Sequence, residues 1–245
     1  MSKYTYDLHI HSCLSPCGDD DMTPANIAGM GSIKGLTLMA LTDHNTSRNC
    51  PAFFKACRAL GIVPVAGMEL TTSEDVHMIC LFPDLESAMD FDKFVYPLIM
   101  PIDNNPEIFG NQLIYGEDDE IIGTEPKLLI SALSLDISAA IAEVSSRGGV
   151  CYPAHIDRPS NGIIATLGDL PDFYNFTCAE FNDSANIEPY GEKYPVVKGL
   201  KIVCSSDAHY LWDISEAENT MEIEDEPYSS ANVRKNLIFN LLHNN

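Results

Sequence analysis

The sequence predicts an α/β protein built on a mainly parallel sheet or barrel. Two patterns carry that expectation: seven short apolar runs of strand length, and helix-like segments between most of them. A third pattern points to a site, because six of the seven histidines fall in or just after one of those runs.

The runs are "YTYDLHI" at 4–10, "LTLMALT" at 36–42, "IVPVAGMEL" at 62–70, "VHMICLF" at 76–82, "GGVCYPA" at 148–154, "FTCAEF" at 176–181 and "LKIVCSS" at 200–206. After the first, "TPANIAGMGSIKG" opens with Thr23 as an N-cap and Pro24 at the first helical position. "PAFFKACRALG" stops at Gly61, which suits a C-cap. "SLDISAAIAEVSSRGG" places Ile137, Ile141 and Val144 on one helical face, and "SSANVRKNLIFNLLHN" closes the chain as an amphipathic helix. One link breaks the alternation. Only "TTSED" separates the third and fourth runs, too short for a helical crossover, so that pair reads as a hairpin or a bent strand. The segment from Pro101 to Lys127 is turn-rich and acidic and reads as an insertion, a hairpin or a lid, within a single domain covering residues 1–245.

Composition narrows the function classes. With 45% hydrophobic and 20% charged residues the chain is an ordinary globular one. The formal net charge of −22 repels long nucleic acid and anionic membranes, and no basic run offsets it. A small anionic substrate met by metal ions remains compatible. The chain opens "MSKYTYDLHIH" with no signal-peptide pattern, and no apolar stretch reaches the ~20 residues of a membrane span. Several of the eight cysteines sit in apolar runs, so reduced, buried thiols in a cytoplasmic protein are expected.

The histidines carry the chemistry. His9 and His11 close the first run, His44 follows the second in "LTDH", and Glu69 ends the third. His77 lies in the fourth, His155 follows the fifth in "YPAH", and Asp207 and His209 follow the last in "SSDAH". In a (βα) barrel the carboxyl ends of the strands converge on one face, so residues distant in sequence meet there. The i, i+2 spacing of His9 with His11, and of Asp207 with His209, points both side chains the same way in extended chain. Imidazole with carboxylate suits zinc, manganese or iron, and this many donors exceeds the needs of one ion. Two or three divalent ions are therefore expected. His243, in the last helix, reads as a surface residue.

These motifs, "DLHIHS", "LTDH", "VAGME", "VHMICLF", "PAH" and "SDAH" in that order, resemble those of the polymerase and histidinol phosphatase (PHP) family from Asp7 to His209. The resemblance implies a distorted (βα)7 barrel whose strand ends hold a two- or three-metal cluster that usually hydrolyses phosphoesters. It implies His9, His11, His44, Glu69, His77, His155, Asp207 and His209 as ligands. One departure stands out. Where many relatives continue with "S-D-G" or a further histidine, this chain has "SPCGDDD". Cys17 falls where some members place that histidine, and Asp19 offers a harder oxygen donor that suits a hydrolytic centre better. A solvated acidic loop is the plainer alternative.

Five further residues are candidates. Asp43 and Asp7 sit beside ligand histidines, where a carboxylate orients an imidazole, and Asp43 is equally placed to move protons. Arg158, after "PAH", and Arg48, after "TDH", are two of only five arginines and could grip phosphate oxygens. Resemblance to the family's phosphatases favours Arg158, while Arg48 suits a surface salt bridge equally well. Asn182, after the sixth run, is a substrate contact or a turn residue. The leading expectation is hydrolysis of a small phosphomonoester, such as a nucleotide, a nucleoside bisphosphate or histidinol phosphate. The alternatives are a 3'-5' exonuclease-type phosphodiesterase on short nucleic acid, and a non-catalytic domain stabilised by metal.

Overall fold

The computed structural model describes residues 1–243. β1 (Ser2–Asp7), α1 (Pro24–Ile33), β2 (Leu38–Leu41), α2 (Cys50–Ala59) and β3 (Val63–Thr71) follow in βα order, and the three strands pair in parallel. β4 (His77–Phe82) then turns back antiparallel to β3, with His77 opposite Thr71. α3 (Leu85–Val95) leads to a short α4 (Pro106–Phe109) and the hairpin β5 (Leu113–Tyr115) with β6 (Ile121–Thr124). α5 (Ile137–Ser146) feeds β7 (Val150–Pro153), antiparallel to β4. α6 (Ile163–Leu167), β8 (Cys178–Phe181), α7 (Ile187–Lys193) and β9 (Lys201–Cys204) follow, and β8 and β9 pair in parallel. β10 (Thr220–Ile223) runs antiparallel along β1, and α8 (Ser230–Leu242) comes last.

All seven strand-like runs of the sequence are strands. They assemble as a curled half-barrel of mixed direction, with strand order β10-β1-β2-β3-β4-β7. β8 and β9 form a separate pair. It is tied to β7 by the Ile156 N–H donating to Glu180 O (2.9 Å) and to β1 by a bridge between Ile10 and Ala208. The strict (βα)7 repeat is broken at β4, because residues 72–76 leave no room for a crossover helix and force a hairpin. That reversal has a consequence for the site. It puts the start of β4, not its end, beside the carboxyl end of β3, so His77 faces the same edge as Glu69.

β2, β3, β4, β7 and β8 are buried on both faces, as their near-continuous apolar runs require. Met39, Leu41, Met68, Cys80 and Phe82 pack with residues of α1, α2, α3 and α5, among them Ile27, Phe53, Phe91 and Val144. The alternate set, including Leu38, Ala40, Val65, Leu81 and Tyr152, packs with Val233, Leu237 and Leu241 of α8. Helix starts follow local chemistry: Thr23, Asp84, Asp136 and Ser229 each accept a backbone N–H from the first turn. α2 is different. Its N-cap Asn49 makes no cap bond and instead donates to Ser12 Oγ and Leu113 O while accepting the Tyr115 N–H. The β5–β6 hairpin is thereby fastened to the loop after β1. All eight cysteines are free, with Cys17 and Cys204 partly exposed. Among the described residues, no helix is long and apolar enough to cross a membrane.

Candidate metal centre

Six strands, β1, β2, β3, β4, β7 and β9, each contribute one or two side chains to a single cluster. His9 and His11 follow β1, His44 follows β2, Glu69 lies near the end of β3, His77 starts β4, His155 follows β7, and Asp207 and His209 follow β9. Glu69 is the hub. Its Oε1 lies 2.9 Å from His77 Nδ1, 3.0 Å from His155 Nε2 and 3.4 Å from His9 Nε2. Its Oε2 lies 3.0 Å from His44 Nδ1 and 3.2 Å from His11 Nε2. Asp207 Oδ1 stands 3.2 Å from both His9 Nε2 and His11 Nε2, which are themselves 3.1 Å apart. Two ligands about 2.0–2.1 Å from a shared ion, at tetrahedral or octahedral angles, are about 2.8–3.4 Å apart. The cluster therefore has the spacing of donors around common ions.

Its hydrogen bonding fits a cation as well. Asp207 Oδ1 and His44 Nδ1 are buried without a hydrogen-bond partner, despite the neighbours just given. Buried polar atoms left so are rare, and a cation would satisfy them. The imidazoles are held from outside the cluster. His9 Nδ1 donates to Glu180 Oε1 at 2.8 Å, which fixes its tautomer and turns Nε2 inward. His11 Nδ1 donates to Ser15 Oγ (2.9 Å), which in turn donates to Asp43 Oδ1 (2.7 Å). His209 Nδ1 donates to Asp207 O at 2.7 Å, leaving its Nε2 free. Three overlapping sets can hold an ion: His9, His11, Glu69 and Asp207; His44, Glu69 and His77; and His11, Cys17, His44 and His209.

Without ions, protons take the place of cations. Burial opposes charging His9, yet the carboxylates of Glu180, Asp207 and Glu69 hold it well above the usual imidazole range. Burial is likewise outweighed at His11, which the adjacent carboxylates of Asp207 and Glu69 raise to about 9. Burial drives His44 well down and His209 down to about 4. Burial would raise Glu69, but His77, His9 and His44 pull it well below the carboxylate range. Two residues of the cluster adopt left-handed backbone, His155 at φ 28° and Asp207 at φ 53°, at a cost of roughly 1–2 kcal/mol each. Local bonds offset it: the His155 N–H donates to Glu180 Oε1, and Ala208 N–H to Ser206 Oγ.

The other candidates separate cleanly. Arg158 lines the cavity of about 150 Å³ above the cluster and pairs with Asp207 Oδ2. Asp43 does not line it; its carboxylate accepts the Ser12 N–H, Ser12 O–H and Ser15 O–H, all at 2.7 Å, and reaches His11 only through Ser15. Asp7 touches no imidazole and accepts the Ser206 and Ser215 N–H groups, tying β1 to the loops after β9. Arg48 is drawn away to Glu125 and Asp92 and stacks over Tyr96 at 4.3 Å. Asn182 donates to Ser206 O and lies outside the cavity. In the loop after β1, Cys17 stands with the clustered donors and Asp19 does not, because Asp19 Oδ1 accepts the Asp21 N–H at 2.9 Å. That reverses the order expected for the two. His243 is exposed and stacks on Phe239.

Glu180 and Ser15 escaped sequence reading. Glu180 left a signal, a lone acid in the apolar strand run "FTCAEF", where an unpaired carboxylate is seldom found. Ser15 left none.

Comparison with known proteins agrees with this geometry. The profile of the PHP domain matches residues 7–144. An uncharacterized protein of Methanocaldococcus jannaschii is 36% identical over 76 residues, which cover 28% of this chain and 44% of that relative. Among solved structures, a protein from Bifidobacterium adolescentis assigned as a metal-dependent phosphoesterase superposes with a TM-score of 0.55 at 18% identity, over 87% of this chain and 88% of that one. The lesion-specific endonuclease Q of Pyrococcus furiosus gives 0.62 at 18% identity, over 96% of this chain and 55% of that one. Endonuclease Q is also known in complex with a 27-mer duplex, so the fold itself does not exclude long nucleic acid as acidity alone suggested. With the profile covering more than half its length, the chain belongs to the PHP domain family.

Proposed function

We propose that the chain hydrolyses a small phosphomonoester at the cluster of His9, His11, His44, Glu69, His77, His155, Asp207 and His209. The observation that carries this reading is Arg158, the one guanidinium lining the cavity over that cluster among the described residues. The cavity, about 150 Å³, is well below the roughly 300–1,000 Å³ of pockets that enclose whole ligands. It accommodates a terminal phosphoryl group and leaves the rest of the substrate outside.

The donor set suits two or three divalent ions, zinc, manganese or iron, which supply an activated water and Lewis acidity toward the phosphoryl oxygens. The chain's own residues do the rest. Glu180 holds the proton of His9 on Nδ1, and the Asp43–Ser15 pair does the same for His11, so both Nε2 lone pairs point inward. Arg158 has a side chain 44% exposed, free to exchange Asp207 for a phosphate oxygen and to bind two oxygens at once. Asp43 acts as a positioning residue. Residues 101–127 serve as an element inserted in one domain, bracing the loop after β1: the Leu113 N–H donates to Cys13 O, and Asn111 Nδ2 to Asp20.

The test is a screen of phosphomonoesters beside single-stranded and duplex oligonucleotides, each with added zinc or manganese. Release of inorganic phosphate from monoesters with the oligonucleotides intact is the expected result. Cleavage of oligonucleotides alone would overturn the monoester reading in favour of a phosphodiesterase.

A further inference from the structure

The loop after β1 sets this centre apart. Cys17 lines the cavity, is free of any disulfide, and offers its sulfur within 4.8 Å of ligand atoms on His11, His44 and His209. The loop holds it there. The Gly18 N–H donates to Ser15 O (2.9 Å), and the Asp19 N–H donates to the backbone oxygen of His209 itself (3.0 Å). A Cβ at Gly18 would stand 2.2 Å from Ser12 O, so only glycine allows the chain to fold this tightly behind the cysteine. His44 gives an independent sign of a ligand. It is 3% exposed, lines the same cavity, and its Nδ1, 3.0 Å from Glu69 Oε2, makes no hydrogen bond. The oxygen donor nearest in sequence, Asp19, spends its Oδ1 on its own turn.

We propose that Cys17 makes one ion position of the centre a sulfur–imidazole site selective for zinc, while the positions on Glu69 and Asp207 accept harder ions. The inference rests on reading the cluster as a metal centre. Thiolate favours zinc over manganese or magnesium, whereas carboxylate-rich sets accept the harder ions. Around tetrahedral zinc a sulfur and a nitrogen are about 3.5 Å apart, so donors within 4.8 Å of one another close by no more than about 1.3 Å. One thiolate and neutral imidazoles leave that ion with a net charge of about +1, on the cavity wall that also carries Arg158. That charge adds to the attraction for an anionic substrate without placing a second carboxylate against it.

Cobalt replaces zinc with a visible spectrum and tests this directly. The metal-free protein reloaded with Co(II) is expected to show a thiolate-to-metal charge-transfer band in the near ultraviolet. Cys17→Ser loses the band and, after zinc loading, holds one ion fewer by mass spectrometry. Cys17→His keeps the wild-type ion count without the band, so the result stands even if the serine variant folds poorly. Wild-type protein loaded with manganese alone also falls one ion short of its zinc count. Ion binding without any thiolate band, or an unchanged ion count in Cys17→Ser, overturns the sulfur site and leaves the proposed hydrolysis standing. A wild-type protein that binds no ion overturns both.

Discussion

Glu180 offers the sharpest test of how the centre is held. It is fully buried, and its Oε1 accepts both the His9 Nδ1–H at 2.8 Å and the His155 N–H at 3.2 Å. A carboxylate behind a ligand imidazole is worth roughly 10- to 100-fold in metal affinity, or about 1.4–2.7 kcal/mol. In Glu180→Gln the amide oxygen still accepts both bonds, and only the charge is lost. The same carboxylate also helps hold a proton on His9 in the metal-free chain, so its loss eases proton competition and offsets part of the effect. The two together set the expectation for Glu180→Gln at about 10-fold weaker zinc binding. Glu180→Ala strands both N–H donors and should approach 100-fold. Chelator competition at fixed pH measures both variants. Wild-type affinity in both would refute the claim that Glu180 sets the His9 tautomer.

The remaining predictions concern the other supports of the site. Ser15→Ala breaks the path from Asp43 to His11 and should weaken metal binding about 10-fold in the same assay. Arg158→Ala should raise KM for a phosphomonoester by roughly 10- to 100-fold, the loss of a charge-assisted bond of about 1.5–3 kcal/mol, with the ion count unchanged. Metal loading at pH 7 should release protons, read with an indicator dye in weak buffer. His11, raised to about 9, is charged there and must lose its proton to bind an ion, whereas His209, lowered to about 4, is already neutral. Metal affinity therefore rises with pH from 7 toward 9. For the metal-free chain the sign is opposite at His11: its contribution to stability is full below about 6.5 and fades as pH rises through about 9.

Much of this was legible in the sequence because it rests on short-range pattern. The seven strands announced themselves as apolar runs, and the "TTSED" link betrayed the β3–β4 reversal because five residues cannot span a sheet with a helix. The clustered histidines and carboxylates could be placed at one edge because strand ends converge, whichever strand supplies them. What escaped depends on long-range contact. β10 pairs with β1 across the whole chain, and Glu180 meets His9 across 171 positions. Nothing local to Arg48 tells that Glu125 and Asp92 will claim its guanidinium. Hardness alone favoured Asp19 over Cys17, and the turn at Gly18 decided their placement the other way.

The central claim, hydrolysis at a metal cluster of these residues, is tested most directly by counting ions and activity in the same preparation. Purified wild-type protein should carry two or three divalent ions per chain, drawn from the overlapping donor sets. Stripping them with a chelator should abolish phosphate release, and restoring zinc or manganese should return it. His9→Ala and Asp207→Ala should lose ions and activity together. Fewer than one ion per chain with no hydrolysis under any divalent metal, or full activity in the stripped protein or in Asp207→Ala, would contradict it.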